Sequence, residues 1–120
     1  MNRVLVVAAL TMSLTAGAQA AAAQAPAAPA ASDGGALYRQ YCRACHGARG
    51  KPSDQMRGVY PALVTLSDSA VQAKLTVDGV ATLLTKGNGK EMKPFADKMS
   101  KDEIHAVAEF VKTLKPAAGQ

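Results

Sequence analysis

Cys42, Arg43, Ala44, Cys45 and His46 form a Cys-x-x-Cys-His run, a spacing that is the attachment signature of a covalently bound haem. Two thiolates three positions apart lie on one helical turn, within reach of the two vinyl groups on a haem edge. The residue after the second cysteine then falls beneath the iron, where its imidazole can supply an axial ligand. A group held this way handles electrons before it does anything else. Thiol–disulfide exchange, zinc binding and a structural disulfide share part of the pattern. Zinc lacks ligands, because the chain has 2 cysteines and 2 histidines, and His105 stands without a fourth partner in a strongly helical stretch. A thiol oxidoreductase would set its pair at a helix start among alternating strands and helices, and no credible strand is visible. A disulfide is the stronger rival, since the chain reads as exported. The motif's own record as a haem signature decides for haem.

With His46 on one face of the iron, the ligand on the other face separates a carrier from a catalyst. Methionine is the common choice in carriers, because a thioether favours reduced iron and raises the potential. Met56 follows His46 by only ten positions and falls in a loop on the same side of the haem. Met99 has a structural role at the start of the last helix. Met92 stands in a turn-rich segment followed by Pro94, which can hold a side chain inward, and it is the candidate ligand. His105 is expected to be exposed.

These residues need helices to position them. Ser32 or Asp33 can cap a first helix, whose Leu37, Tyr38 and Tyr41 face leads into Cys42. Gly34 and Gly35 near its start suit a place where another helix crosses closely. Residues 47–60 are rich in Gly, Arg, Lys, Pro and Asp and read as a long loop. Ser67 or Asp68 can cap a helix carrying Val71 and Leu75, with Asp78-Gly79 as its interruption. Val80, Leu83 and Leu84 begin a second apolar face that ends at Gly87; one kinked helix and two separate ones fit equally well. The last helix is the best defined. Ser100 and Glu103 match a capping box, Met99 and Ile104 a hydrophobic staple, and Ile104, Val107, Ala108, Val111 and Leu114 a continuous stripe.

At the N-terminus, Asn2 and Arg3 precede an apolar run that ends in Ala18-Gln19-Ala20, so residues 1–20 read as a secretory signal peptide. The run is shorter than the roughly 20 apolar residues of a comfortable membrane span. Residues 21–32 form an Ala/Pro-rich linker, 33–116 the folded domain and 117–120 a short tail. A domain of that size needs a staple, and a haem packed as the centre of its core would be one. The formal charge of +5 suggests nucleic acid, but no nucleic-acid motif is present and an exported protein is in the wrong compartment. An acidic protein partner or a transient contact with a membrane surface suits the charge better.

The globular part resembles the small class I c-type cytochromes. The resemblance rests on Gly34 and Tyr38, on Cys42-Arg43-Ala44-Cys45-His46-Gly47, on Pro61-Ala62-Leu63, on Met92-Lys93-Pro94-Phe95, and on a final helix carrying Phe110. It implies an all-α cytochrome c fold in which N- and C-terminal helices cross near Gly34 and Phe110 around one covalent haem c. It also implies that the Pro61 carbonyl accepts a hydrogen bond from the far nitrogen of His46. Lys93, where proline or a small residue is common, and the lack of tryptophan depart from familiar members; Arg57 or Tyr60 could replace tryptophan as a propionate donor.

The expected function is that of a periplasmic one-electron carrier, not an enzyme, with Cys42 and Cys45 in thioethers and His46 and Met92 on the iron. Its donor would be a dehydrogenase or quinol-oxidising complex, and its acceptor a terminal oxidase or reductase. Two alternatives stay open: an electron-accepting cytochrome subunit of a periplasmic dehydrogenase, and a haem enzyme or gas-binding protein with a displaceable sixth ligand.

Overall fold

The computed structural model describes residues 32–89 and 91–117, and the regular elements among them are all helices. The expected signal peptide and all but the last residue of the expected linker lie outside the described residues, as do residues 118–120 of the expected tail. Helix α1 spans Gly34–Tyr41 and starts on Asp33, whose carboxylate accepts the Ala36 N–H at 2.9 Å. Of the two caps the sequence offers, Asp33 is the one used. The C-terminal helix, α6, spans Lys101–Thr113. Its capping box is complete: Ser100 Oγ accepts from the Glu103 N–H, and Glu103 Oε2 accepts from the Ser100 N–H. Two orphan donors of the first turn are satisfied reciprocally, an arrangement whose loss costs about 1 kcal/mol. Met99 and Ile104 are both buried beside it.

Helices α1 and α6 cross where α1 lacks side chains. A Cβ built on Gly34 would stand 2.0 Å from the Ala106 carbonyl oxygen, so the two backbones touch there and only glycine fits. One position on, Gly35 lies against the Phe110 ring. The crossing expected near Gly34 and Phe110 is therefore present, divided between the two glycines. Tyr38 completes it, fully buried with its ring 5.2 Å from that of Phe110. The stripe Ile104, Val107, Ala108 and Val111 is buried, and burying each large aliphatic side chain contributes about 1.5–3 kcal/mol.

Between the terminal helices lie four shorter ones: α2 (Arg43–His46), α3 (Asp54–Val59), α4 (Ser69–Lys74) and α5 (Val77–Lys86). Helix α3 corrects the reading of 47–60 as a loop throughout. It buries none of its residues, so no periodicity marks it. Ser53 caps it through the Met56 N–H, and Arg57 binds back to the Pro52 carbonyl at 3.1 Å and to the Asp54 carboxylate. The middle region is two helices. They part at Leu75 and Thr76, earlier than Asp78-Gly79, because Thr76 Oγ1 accepts the Gly79 N–H and so places Asp78 and Gly79 inside the first turn of α5. Val80 and Leu84 of α5 join the core under α6.

Candidate functional site

Cys42 is the joint between α1 and α2, the C-cap of one and the N-cap of the other. Its carbonyl accepts the Cys45 and His46 N–H groups at 3.2 and 2.9 Å, which winds the motif into a single turn. Gly47 ends that turn at φ +76°, and a Cβ there would meet the Lys51 carbonyl at 2.0 Å. Both thiols are free, Cys42 buried and Cys45 exposed. Burial, and then the nearby Cys45, pushes the Cys42 thiol up to about 11. That is the opposite of the depressed value a disulfide-exchanging thiol needs, and no described residue forms a strand that would frame such a site.

His46 is held below the ordinary imidazole range by burial alone, so its ring is neutral and keeps a lone pair for a metal. Its Nδ1 is buried without a hydrogen-bond partner. The expected bond from this ring to the Pro61 carbonyl is thus not made. Winding of 54–59 into α3 and the turn closed by the Leu63 N–H on the Tyr60 carbonyl leave Pro61 exposed instead.

Met92 follows α5 on a loop stitched to the body of the protein. Its N–H donates to Asn88 Oδ1 at 2.8 Å and its carbonyl accepts the Asn88 N–H at 3.0 Å. Farther on, the Phe95 N–H donates to the Leu84 carbonyl at 2.8 Å. Gly87, at φ +69°, permits the loop to turn back, since a Cβ there would lie 2.4 Å from the Met92 carbonyl oxygen. Met92 is half-buried against the core cluster that includes Cys42, whereas Met99 is wholly inside it. Met56 sits half-buried on α3. His105 is exposed and faces Glu109 at 3.8 Å, as an ordinary surface pair.

The structure thus gathers Cys42, Cys45 and His46 on one turn and brings Met92 to the same core on a separate loop. Two surface grooves, one beside Arg49, Ser67 and Pro116 and the other beside Thr82, Met99 and His105, contain none of the four. The donor set fits a haem. It offers two unpaired thiols, a half-buried imidazole that burial keeps neutral, and the Met92 thioether against the same core. Sequence reading missed the bond from the Tyr38 hydroxyl to the Gly47 carbonyl and the Gln72 side chain bridging Leu66 and Val111. Tyrosine in place of phenylalanine at position 38 was the one signal for the first.

A helical fold with crossed terminal helices and a Cys-x-x-Cys-His turn defines a class I c-type cytochrome. Residues 29–111 match the family model described as "Cytochrome C oxidase, cbb3-type, subunit III", and the chain belongs to that family. Among solved structures it is similar to the "KustC0563 c-type cytochrome", with 31% identity and a TM-score of 0.63 over 70% of this chain and 99% of that one. It is likewise similar to a point mutant of Kustc0563 in which a tyrosine is replaced by phenylalanine, with 30% identity and a TM-score of 0.60 over 69% and 99% of the two chains. No curated protein matches. Its cofactor is a single covalent haem c, and its chemistry is haem-based electron transfer.

Proposed function

We propose that the chain is an exported one-electron carrier whose haem is joined to Cys42 and Cys45 and ligated by His46 and Met92. The α2 turn carries this reading, because it holds two unpaired thiols and a half-buried, neutral imidazole on adjacent backbone. The haem supplies an iron that gains and loses one electron. Cys42 and Cys45 tether it, and burial keeps His46 neutral and fit to ligate. The Met92 thioether would serve as the second iron ligand, from a loop that Asn88 holds. With His46 and Met92 both on the iron no position would be left for substrate, which favours transfer over catalysis.

Residues 1–20 would direct export to the periplasm and be cleaved near residue 20, leaving 21–32 as linker, 33–116 as the cytochrome c domain and 117–120 as tail. No helix among the described residues is long and apolar enough to cross a membrane. Lys86, Lys93 and Lys98 are exposed around the Met92 loop and suit an acidic docking surface on a redox partner; Lys90, the fourth lysine of the group, lies outside the described residues. The donor would be a dehydrogenase or quinol-oxidising complex and the acceptor a terminal oxidase or reductase. The family's description names an oxidase subunit, which favours, as the second reading, the same domain held within a larger complex.

The test is a visible spectrum of the reduced holoprotein with and without carbon monoxide. A low-spin spectrum that carbon monoxide leaves unshifted is expected, and ready binding would point to a haem enzyme or gas sensor. Cys42→Ser combined with Cys45→Ser should abolish covalent haem, read as loss of haem from the denatured chain.

A further inference from the structure

The buried Tyr38 hydroxyl donates to the Gly47 carbonyl at 2.9 Å. Tyr38 stands in α1, four positions before Cys42, and Gly47 ends α2 directly after His46. This one bond therefore spans the Cys-x-x-Cys-His turn from its entry to its exit. The same carbonyl accepts the Gly50 N–H at 3.2 Å, and the Gly50 carbonyl accepts the Ser67 N–H at 3.3 Å. At its other end the Tyr38 ring is fixed against Phe110 of α6. The hydroxyl thus connects the helix crossing to the backbone that carries His46.

For core packing alone a phenylalanine would serve at position 38. The hydroxyl adds a directional contact, aimed at the residue next to His46. A metal-binding histidine is ordinarily oriented by a hydrogen bond from its other ring nitrogen. His46 Nδ1 has no such partner among the described residues, so its ring relies on the backbone at 46 and 47 for its placement. Burial holds the Tyr38 phenol well above its ordinary pKa, which keeps the hydroxyl a donor.

We propose that Tyr38 is a positioning residue for His46: by holding the Gly47 carbonyl, its hydroxyl fixes the imidazole plane and thereby tunes the haem potential. The inference rests on the reading of His46 as an axial ligand. Wild type and Tyr38→Phe should be compared as holoproteins by midpoint potential and by the hyperfine-shifted haem-methyl proton resonances of the oxidised state, which report ligand-plane orientation. Tyr38→Phe is expected to keep its covalent haem, change the methyl pattern and raise the potential, because a poorly aimed imidazole donates less to ferric iron. A tenfold loss of relative ferric stabilisation reads as about 59 mV for one electron. Gln72→Ala, whose lost bonds involve neither α1 nor α2, should lower stability and leave both readouts in place.

If Tyr38→Phe lowers only the unfolding midpoint while potential and methyl pattern coincide with wild type, the proposal is overturned. Should that variant not accumulate as holoprotein, 3-fluorotyrosine at position 38 keeps the ring and strengthens the donor. It should shift the methyl pattern and lower the potential, and an unchanged pattern and potential would equally overturn the proposal. His46→Ala tests the underlying reading separately: a wild-type low-spin spectrum in that variant would refute the ligand assignment whatever Tyr38→Phe does.

Discussion

Gln72 Nε2 donates to the Val111 carbonyl at 2.8 Å, so a side chain of α4 caps the C-terminal end of α6. The exchange is mutual, because Lys112 Nζ donates to the Gln72 carbonyl at 2.8 Å near the end of α4. Each helix end supplies what the other lacks, since the last four carbonyls of a helix have no partner within it. Gln72→Ala removes the bonds to Leu66 and Val111, leaving the part-buried Val111 carbonyl only the Leu114 N–H at 3.2 Å. It should cost about 1–3 kcal/mol. Thermal unfolding of the holoprotein should show the midpoint falling by about 4–8 °C per kcal/mol, with an unchanged haem spectrum.

The helix crossing has a sharper tolerance. Gly34→Ala places a methyl 2.0 Å from the Ala106 carbonyl oxygen, and neither backbone can yield without the helices moving apart. Overpacking of this kind costs about 1–3 kcal/mol or more. Gly35→Ala meets the edge of the Phe110 ring at 3.1 Å and the Asp33 carboxylate at 3.2 Å, side chains that can yield, and should cost less. Denaturant midpoints of the two holoprotein variants would rank them; equal losses would argue against a backbone contact at Gly34.

Met92 and Met99 should separate cleanly. Met92→Ala is expected to open the iron, admit carbon monoxide and lower the potential, because a thioether favours reduced iron. Met99→Leu exchanges one buried apolar side chain for another of similar volume, should cost less than about 1.5 kcal/mol, and should leave the haem spectrum alone. Carbon monoxide difference spectra decide between them. The reverse outcome would move the ligand to Met99.

Electron transfer with an acidic redox partner should slow as ionic strength rises, since the Debye length shrinks from about 10 Å at 0.1 M salt to about 3 Å at 1 M. Lys86→Glu combined with Lys93→Glu, two exposed side chains flanking the Met92 loop, should reduce the association rate and flatten or invert the salt dependence. Stopped-flow rates across a salt series provide the measurement. A flat wild-type profile would leave an apolar haem-edge contact as the better account.

What was legible in the sequence is what local physics specifies. Ser100 and Glu103 sit three apart, so their reciprocal caps form wherever the chain turns helical, and the stripe from Ile104 to Val111 needs only period 3.6 to be seen. Helix α3 escaped because it buries nothing: Ser53 and Arg57 hold it through polar contacts with near neighbours, which leave no hydrophobic period. The break at Thr76 was misplaced because glycine outweighed a threonine cap, although Gly79 is accommodated in a first turn that Thr76 secures. The Gln72 bridges join residues 39 and 40 positions apart, a distance at which sequence pattern carries no register. For the site, the Cys-x-x-Cys-His turn was plain because all its members are consecutive. The unpartnered His46 Nδ1 was not, since it depends on where Pro61 ends up.

The meeting of the first helix with the last has a consequence for the order of assembly. A chain emerging N-terminus first delivers α1 and the cysteine turn before any residue of α6. Until α6 arrives, the Tyr38 face and the buried side of Cys42 have nothing to close against, and the attachment turn stays open to whatever machinery loads it. Docking of α6 on Gly34 is then the latch. The long loop that must close first makes it a late event, with Cys42 buried only once it has taken place while Cys45 stays at the surface.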